Sequence, residues 1–251
     1  MNNRIPKIIH YCWFGNNPKP EIVYKCIESW KKYFPDYEIV EWNEKNYDVN
    51  KELYMQEAYS CKKWAFVSDY ARFDVLYQYG GIYFDTDVEV LKKFPQEILC
   101  NQAFTGIEST KIISPGLVFG CAPKLDILKD IIESYENNHF VVEGKFDTTT
   151  INHRVTRIFE KHGYIINGKE QLVAGVRVYP DEVFCGYDLD IMEPFITPNT
   201  LCIHHYSASW NTKTDGTKRK LQEFLKRIIG INGYKRILTI IRILKKRSKR
   251  G

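Results

Sequence analysis

The sequence has no uninterrupted apolar run of about 18 residues, so no membrane-spanning helix is expected from it. Its opening, Met1-Asn2-Asn3-Arg4-Ile5-Pro6, lacks the long apolar segment of a secretion signal. The seven cysteines, at 12, 26, 61, 100, 121, 185 and 202, are odd in number and never form a CxxC pair. Neither a zinc cage nor a disulfide framework is expected from that spacing, and the thiols read as free ones in a reducing cytoplasm. No internal repeat or low-complexity segment precedes the C-terminal tail. No recognised nucleic-acid motif accompanies the basic residues, so no nucleic-acid partner is expected.

What is present is a globular composition. The chain has 251 residues, 44% of them hydrophobic and 14% aromatic, enough to bury a full core as one domain. Charge is unevenly divided. Residues 211–251 hold 14 Lys and Arg against 2 Asp and Glu, a net +12, whereas the remainder holds 22 against 29, a net −7. Within this basic tail, Leu221, Phe224, Leu225, Ile228 and Ile229 share a helical stripe. Beyond a Gly230-Ile231-Asn232-Gly233 hinge, Ile237, Ile240, Ile241 and Leu244 repeat it. The expected division is a body, 1–210, and a basic amphipathic helical tail, 211–251. Such a tail suits an anionic membrane surface, each basic residue contributing about 1 kcal/mol there.

The body alternates strand and helix patterns. Residues 5–14 (IPKIIHYCWF) read as a buried opening strand, stopped by Gly15-Asn16-Asn17-Pro18. Residues 19–33 have helical spacing, residues 37–42 (YEIVEW) read as a second strand, and residues 52–79 as one or two helices. Gly80-Gly81 ends that helical stretch and residues 82–84 form a short strand. Further strands are expected at 102–107, 116–121, 176–179 and 200–205, and helices at 124–136 and 149–162. This order implies an α/β fold with a parallel, doubly wound sheet.

The short strand runs straight into Asp85-Thr86-Asp87. Alternation puts both carboxylates on one face, roughly 7 Å apart along the backbone, at the edge where α/β sheets hold ligands. Two hard oxygen donors there suit Mn²⁺ or Mg²⁺, with a diphosphate filling the remaining positions. An isolated DxD is uninformative, but this one follows Ser68-Asp69-Tyr70-Ala71-Arg72. Asp69 and Arg72, three residues apart, share a helix face. Asp69 offers an acceptor to sugar hydroxyls and Arg72 a planar donor fork to a phosphate or sugar oxygen.

The whole block, SDYARFDVLYQYGGIYFDTDVEVL, resembles the core motif of glycosyltransferase family 32, the DXD sugar-binding group. Ile5-Pro6-Lys7-Ile8-Ile9-His10 with Trp13-Phe14-Gly15 is similar to that family's opening strand. Trp30-Lys31-Lys32-Tyr33-Phe34-Pro35-Asp36-Tyr37-Glu38 resembles the segment after it, and Ile203-His204-His205-Tyr206-Ser207-Ala208-Ser209-Trp210 the closing motif. The large glucosylating toxins are a more distant resemblance. The blocks occur in the family's order across roughly residues 4–210. They imply a GT-A type fold with a Rossmann-like nucleotide-binding sheet flanked by helices.

The resemblance also implies roles. Asp87 binds the metal directly, and Asp85 touches the donor ribose or sugar and holds the metal through water. His205 completes the metal shell; its alternation with Leu201 and Ile203 favours it over His204, which stays the other candidate. Trp13 stacks on the nucleotide base, Ser68 and Tyr83 line the nucleotide pocket, and Trp210 closes over the diphosphate. Asp69 and Arg72, with Asp85, grip the transferred sugar. The chain departs from the family where related sequences carry an Asn on the acceptor side: Ser114-Pro115-Gly116-Leu117 has none. Asp147-Thr148-Thr149-Thr150 is the candidate replacement.

The expected function is a metal-dependent, retaining glycosyltransferase, passing a sugar from a UDP-sugar, or a GDP-sugar, to a surface polysaccharide or lipid-linked oligosaccharide. The expected location is cytoplasmic, peripheral on the inner face of the membrane. The same motifs also suit a toxin- or effector-like protein glycosyltransferase, or an inactive sugar-binding scaffold. Against the scaffold stand the intact DxD, His-His and Ser-x-Ser-Trp blocks.

Overall fold

The computed structural model describes residues 4–189, 191, 193–207, 226–231, 233, 234 and 237. The chain divides into two compact units, residues 1–187 with 195–207, and residues 188–194 with 208–251. In chain order the first unit contains β1 (Ile8–Cys12), α1 (Glu21–Tyr33), β2 (Glu38–Trp42), α2 (Leu53–Ser60) and α3 (Trp64–Tyr79). β3 (Gly81–Tyr83), β4 (Val88–Val90), α4 (Gln96–Leu99), β5 (Ala103–Gly106), β6 (Phe119–Cys121) and α5 (Asp126–Glu133) follow. A small hairpin, β7 (Val141–Val142) and β8 (Lys145–Phe146), precedes α6 (Ile151–Lys161), β9 (Gln171–Val173), β10 (Val176–Tyr179) and α7 (Asp181–Phe184). Two-residue strands β11 (Tyr187–Asp188) and β12 (Glu193–Pro194) lead to β13 (Cys202–His204).

The main sheet has seven strands in the order β2-β1-β3-β6-β5-β10-β9. This is the α/β sheet flanked by helices that the sequence implies, with one difference. β1 is parallel to β2 and β3, and β10 to β5, but β6 is antiparallel to both β3 and β5, and β9 to β10. A parallel return needs a crossover of a dozen or more residues, usually helical. Residues 107–118 contain no helix, so β6 comes back antiparallel and slots between β3 and β5.

The sheet is covered on both faces. α3 is buried at Val67 and continuously from Asp69 to Leu76, as expected of a helix enclosed by other elements rather than lying on a surface. It packs on β1, β3, α2 and α5. An aromatic cluster runs between other elements: Trp30 stacks on Phe84 at 5.4 Å between ring centres, Phe34 meets Phe94 at 5.0 Å, and Phe94 meets Phe184 at 5.4 Å. Trp30 also donates its indole N–H to the Val88 carbonyl at 2.8 Å, which fixes the chain immediately after Asp87. Gly80 ends α3 with φ +65°, and an added Cβ there would lie 2.7 Å from the Pro123 nitrogen, so the turn into β3 requires glycine on both counts.

His10 is buried in the sheet, holding the Gly80 carbonyl at 2.7 Å and accepting from Trp42 at 3.1 Å; burial lowers its pKa to about 4 and keeps it neutral. All seven cysteines are unpaired. Among the described residues no helix is long and apolar enough to cross a membrane. In the second unit residues 226–231 are helical, Lys226 pairs with Glu193 at 2.6 Å, and Ile228, Ile229 and Ile231 are exposed. Most of the expected tail, and Trp210, lie outside the described residues.

Candidate active site

β3 delivers Asp85 just past its last residue. The Asp85 backbone N–H donates to the Gly116 carbonyl at 2.9 Å. Its carboxylate accepts from the Tyr83 hydroxyl at 3.1 Å and faces Arg72 Nη1 at 3.2 Å. Arg72 is the hub. It is buried, its Nη2 meets Asp69 at 2.8 Å, its Nε donates to the Ser68 carbonyl at 3.2 Å, and its guanidinium lies 4.9 Å from the Tyr83 ring centre. The helical spacing of Asp69 and Arg72 therefore does what the sequence implies, and α3 brings both to Asp85. Burial raises the Asp69 carboxyl, and the Arg72 charge opposes that rise. Tyr83 is itself fully buried, so only its hydroxyl edge reaches the site, through Asp85.

Asp87 is built by a different pairing. β13 runs antiparallel to β4, with His204 opposite Val88 and Ile203 opposite Glu89. His204 Nε2 meets Asp87 Oδ1 at 2.9 Å, and Ser207 gives Oδ2 its backbone N–H at 2.9 Å and its hydroxyl at 3.0 Å. Burial alone would raise Asp87. The His204 charge and these hydrogen bonds outweigh it and hold the carboxyl well below its ordinary range. Burial likewise works to lower His204, and the Asp87 charge reverses it, so its pKa rises. The two side chains are hydrogen-bonded partners within the fold.

The structure thus brings His204, not the favoured His205, to the carboxylates. Alternation does place His205 with Ile203, but that face carries Glu89, and His205 Nε2 bonds Glu89 at 2.8 Å. Ser207 completes the Asp87 cradle from a motif whose serines were given no role of their own. Trp13 is half-buried after β1, its indole N–H fixed on the Asn17 carbonyl at 2.8 Å and Lys19 Nζ 5.8 Å from its ring centre. Ser68 bonds the Ala65 carbonyl at 2.8 Å. In the 147–150 stretch, Asp147 pairs with Arg154 at 3.1 Å and Thr150 caps α6, so both are engaged in starting that helix.

The donor set fits a hard divalent cation. It offers two carboxylates, one held ionised, and His204 Nδ1 is buried without a hydrogen-bond partner. Among the described residues no three His, Cys, Asp or Glu side chains gather closely enough to enclose an ion alone.

Residues 20–105, spanning α1 to β5 and including Asp69, Arg72, Asp85 and Asp87, match the family described as a glycosyltransferase sugar-binding region containing a DXD motif. The inositol phosphoceramide mannosyltransferase 1 of Schizosaccharomyces pombe is 28% identical over 149 residues, 54% of this chain and 44% of that protein. The chain thus spans less than half the length of this curated relative. Among solved structures, a glycosyltransferase involved in glycosylation of the major capsid of PBCV-1 is 14% identical, with a TM-score of 0.47, covering 87% of this chain and 100% of that one. The PaToxG glycosyltransferase is 16% identical, with a TM-score of 0.46, covering 63% of this chain and 69% of that one. The matched segment ends before Gly116, His204 and Ser207, which the fold brings to it.

Proposed function

We propose that the chain is a metal-dependent, retaining glycosyltransferase that moves a sugar from a nucleotide-sugar donor, UDP-linked in preference to GDP-linked, to a surface polysaccharide or lipid-linked oligosaccharide. One observation carries this reading: Arg72 ties Asp69 to Asp85 while His204 and Ser207 fix an ionised Asp87 two residues further on. A simple surface salt bridge would not be buried, shared between two carboxylates and set beside a second, separately built carboxylate. Asp85, Asp87 and the imidazole of His204 would hold Mn²⁺ or Mg²⁺, which when bound offsets the charge of a departing diphosphate.

The remaining chemistry falls to positioning and charge. Arg72 presents a buried cation where a sugar and its diphosphate would meet, and Asp69 orients that guanidinium. With retention, the acceptor hydroxyl enters from the side on which the diphosphate leaves, and a phosphate oxygen takes its proton. Trp13, its ring fixed by Asn17, offers a face for the base. Trp13→Ala is expected to weaken UDP binding in the presence of Mn²⁺ about tenfold, read by calorimetry. Unchanged affinity would remove Trp13 from the site.

The basic tail supports a lipid-carried acceptor, and the proposed location is the cytoplasmic face of a membrane. Deleting residues 230–251 is expected to abolish flotation with anionic liposomes; equal flotation of both forms would sink that location.

A further inference from the structure

After β5 the chain turns through residues 107–113, closed by a bridge between Ile107 and Ile113. Glu108 lies in this turn and is only 7% exposed. Among the described residues no lysine or arginine pairs with it; its carboxylate accepts from the Thr110 hydroxyl at 2.5 Å and from Asn152 Nδ2 at 2.8 Å. A carboxylate has about four acceptor positions, so these neutral donors leave about half of them open. A buried charge so sparsely satisfied is costly unless something else donates to it.

Asn152, in the first turn of α6, directs its amide nitrogen to Glu108 and, at 3.2 Å, to the Ser114 hydroxyl. Among the described residues no donor meets its Oδ1. Two acceptors, one charged and one neutral, therefore stand side by side.

Their place in the fold gives them a use. Ser114 is two residues from Gly116, whose carbonyl holds the Asp85 backbone. Glu108 and Asn152 thus stand beside the loop that supports Asp85. Neither the DXD region nor the roles assigned above use them.

We propose that Glu108 and Asn152 form a hydroxyl-reading pair that takes two neighbouring O–H groups of the transferred sugar and so selects which nucleotide sugar the chain accepts. The proposal rests on the transferase reading. Paired acceptors need paired donors, which a vicinal diol supplies and which a sugar carboxylate, repelled by Glu108, does not.

The test compares sugar-bearing and sugar-free ligands on the full chain with Mn²⁺: UDP-glucose, UDP-galactose and GDP-mannose against UDP and GDP. In Glu108→Gln and Asn152→Ala, the nucleotide sugar bound by the unaltered protein is expected to weaken about tenfold or more. The matching nucleoside diphosphate should change by less than about twofold, which also reports an intact fold. Unchanged nucleotide-sugar affinity in both variants overturns the proposal, as does an equal loss for the diphosphate. If Glu108→Gln fails to fold, Asn152→Ala decides alone. Failure of the transferase reading looks different, because the unaltered protein would then bind none of the five ligands; that result takes this proposal with it.

Discussion

Asp87→Asn is expected to lower Mn²⁺-dependent nucleotide-sugar hydrolysis by about three orders of magnitude while the protein stays folded. The substitution keeps the shape of the side chain and removes its charge. Ser207 can still donate to the amide oxygen, so the turn after β13 retains a partner. His204 changes more. Burial lowers its pKa and the Asp87 charge raises it, so its pKa falls when that charge is removed. Loss of these hydrogen bonds to a charged acceptor is expected to cost about 2–3 kcal/mol of stability. Activity and stability therefore separate: circular dichroism should report a native far-ultraviolet spectrum with a lowered Tm, and the hydrolysis assay a nearly dead enzyme. A variant that turned over nucleotide sugar at close to the normal rate would mean that this carboxylate is not at the reacting diphosphate.

What the sequence makes readable here is what local chemistry decides. Gly80-Gly81 marks the end of α3 because the chain must turn sharply there, and Asp69 and Arg72 share a face because helical spacing is fixed. The strand into Asp85 follows from three apolar residues between the glycines and the acids. The choice between His204 and His205 is of another kind. Alternation correctly separates their faces, but which face meets Asp87 depends on the register of β13 against β4. β4 is only three residues long and gives no pattern of its own. The antiparallel course of β6 depends likewise on what residues 107–118 fail to form. Asn152 shows the limit most sharply. Residues 114–117 hold no Asn, yet one arrives at Ser114 from a helix 38 positions further on. No spacing rule announces such a meeting, because α6 and the loop are neighbours only after the sheet has formed.

Gly116 carries the other large effect, and it is steric. A Cβ built on its backbone would lie 1.9 Å from Asp85 Oδ2 and 3.0 Å from Arg72 Nη1. Real Cβ atoms do not tolerate the first distance, so in Gly116→Ala either the loop retreats or the Asp85 carboxylate swings away. Retreat would break the hydrogen bond from the Asp85 N–H to the Gly116 carbonyl. Movement of the carboxylate would disconnect it from Tyr83 and Arg72. Both routes lead to a misplaced Asp85, and turnover is expected to fall about a hundredfold or more. The decisive measurement is the double variant. If Gly116→Ala acts through Asp85, adding it to Asp85→Asn should cost little beyond what Asp85→Asn costs alone, because groups acting as a unit are not additive. Losses that multiplied would show that Gly116 serves something other than this carboxylate, and normal turnover in the single variant would show that the close approach of loop and acid has no part in the reaction.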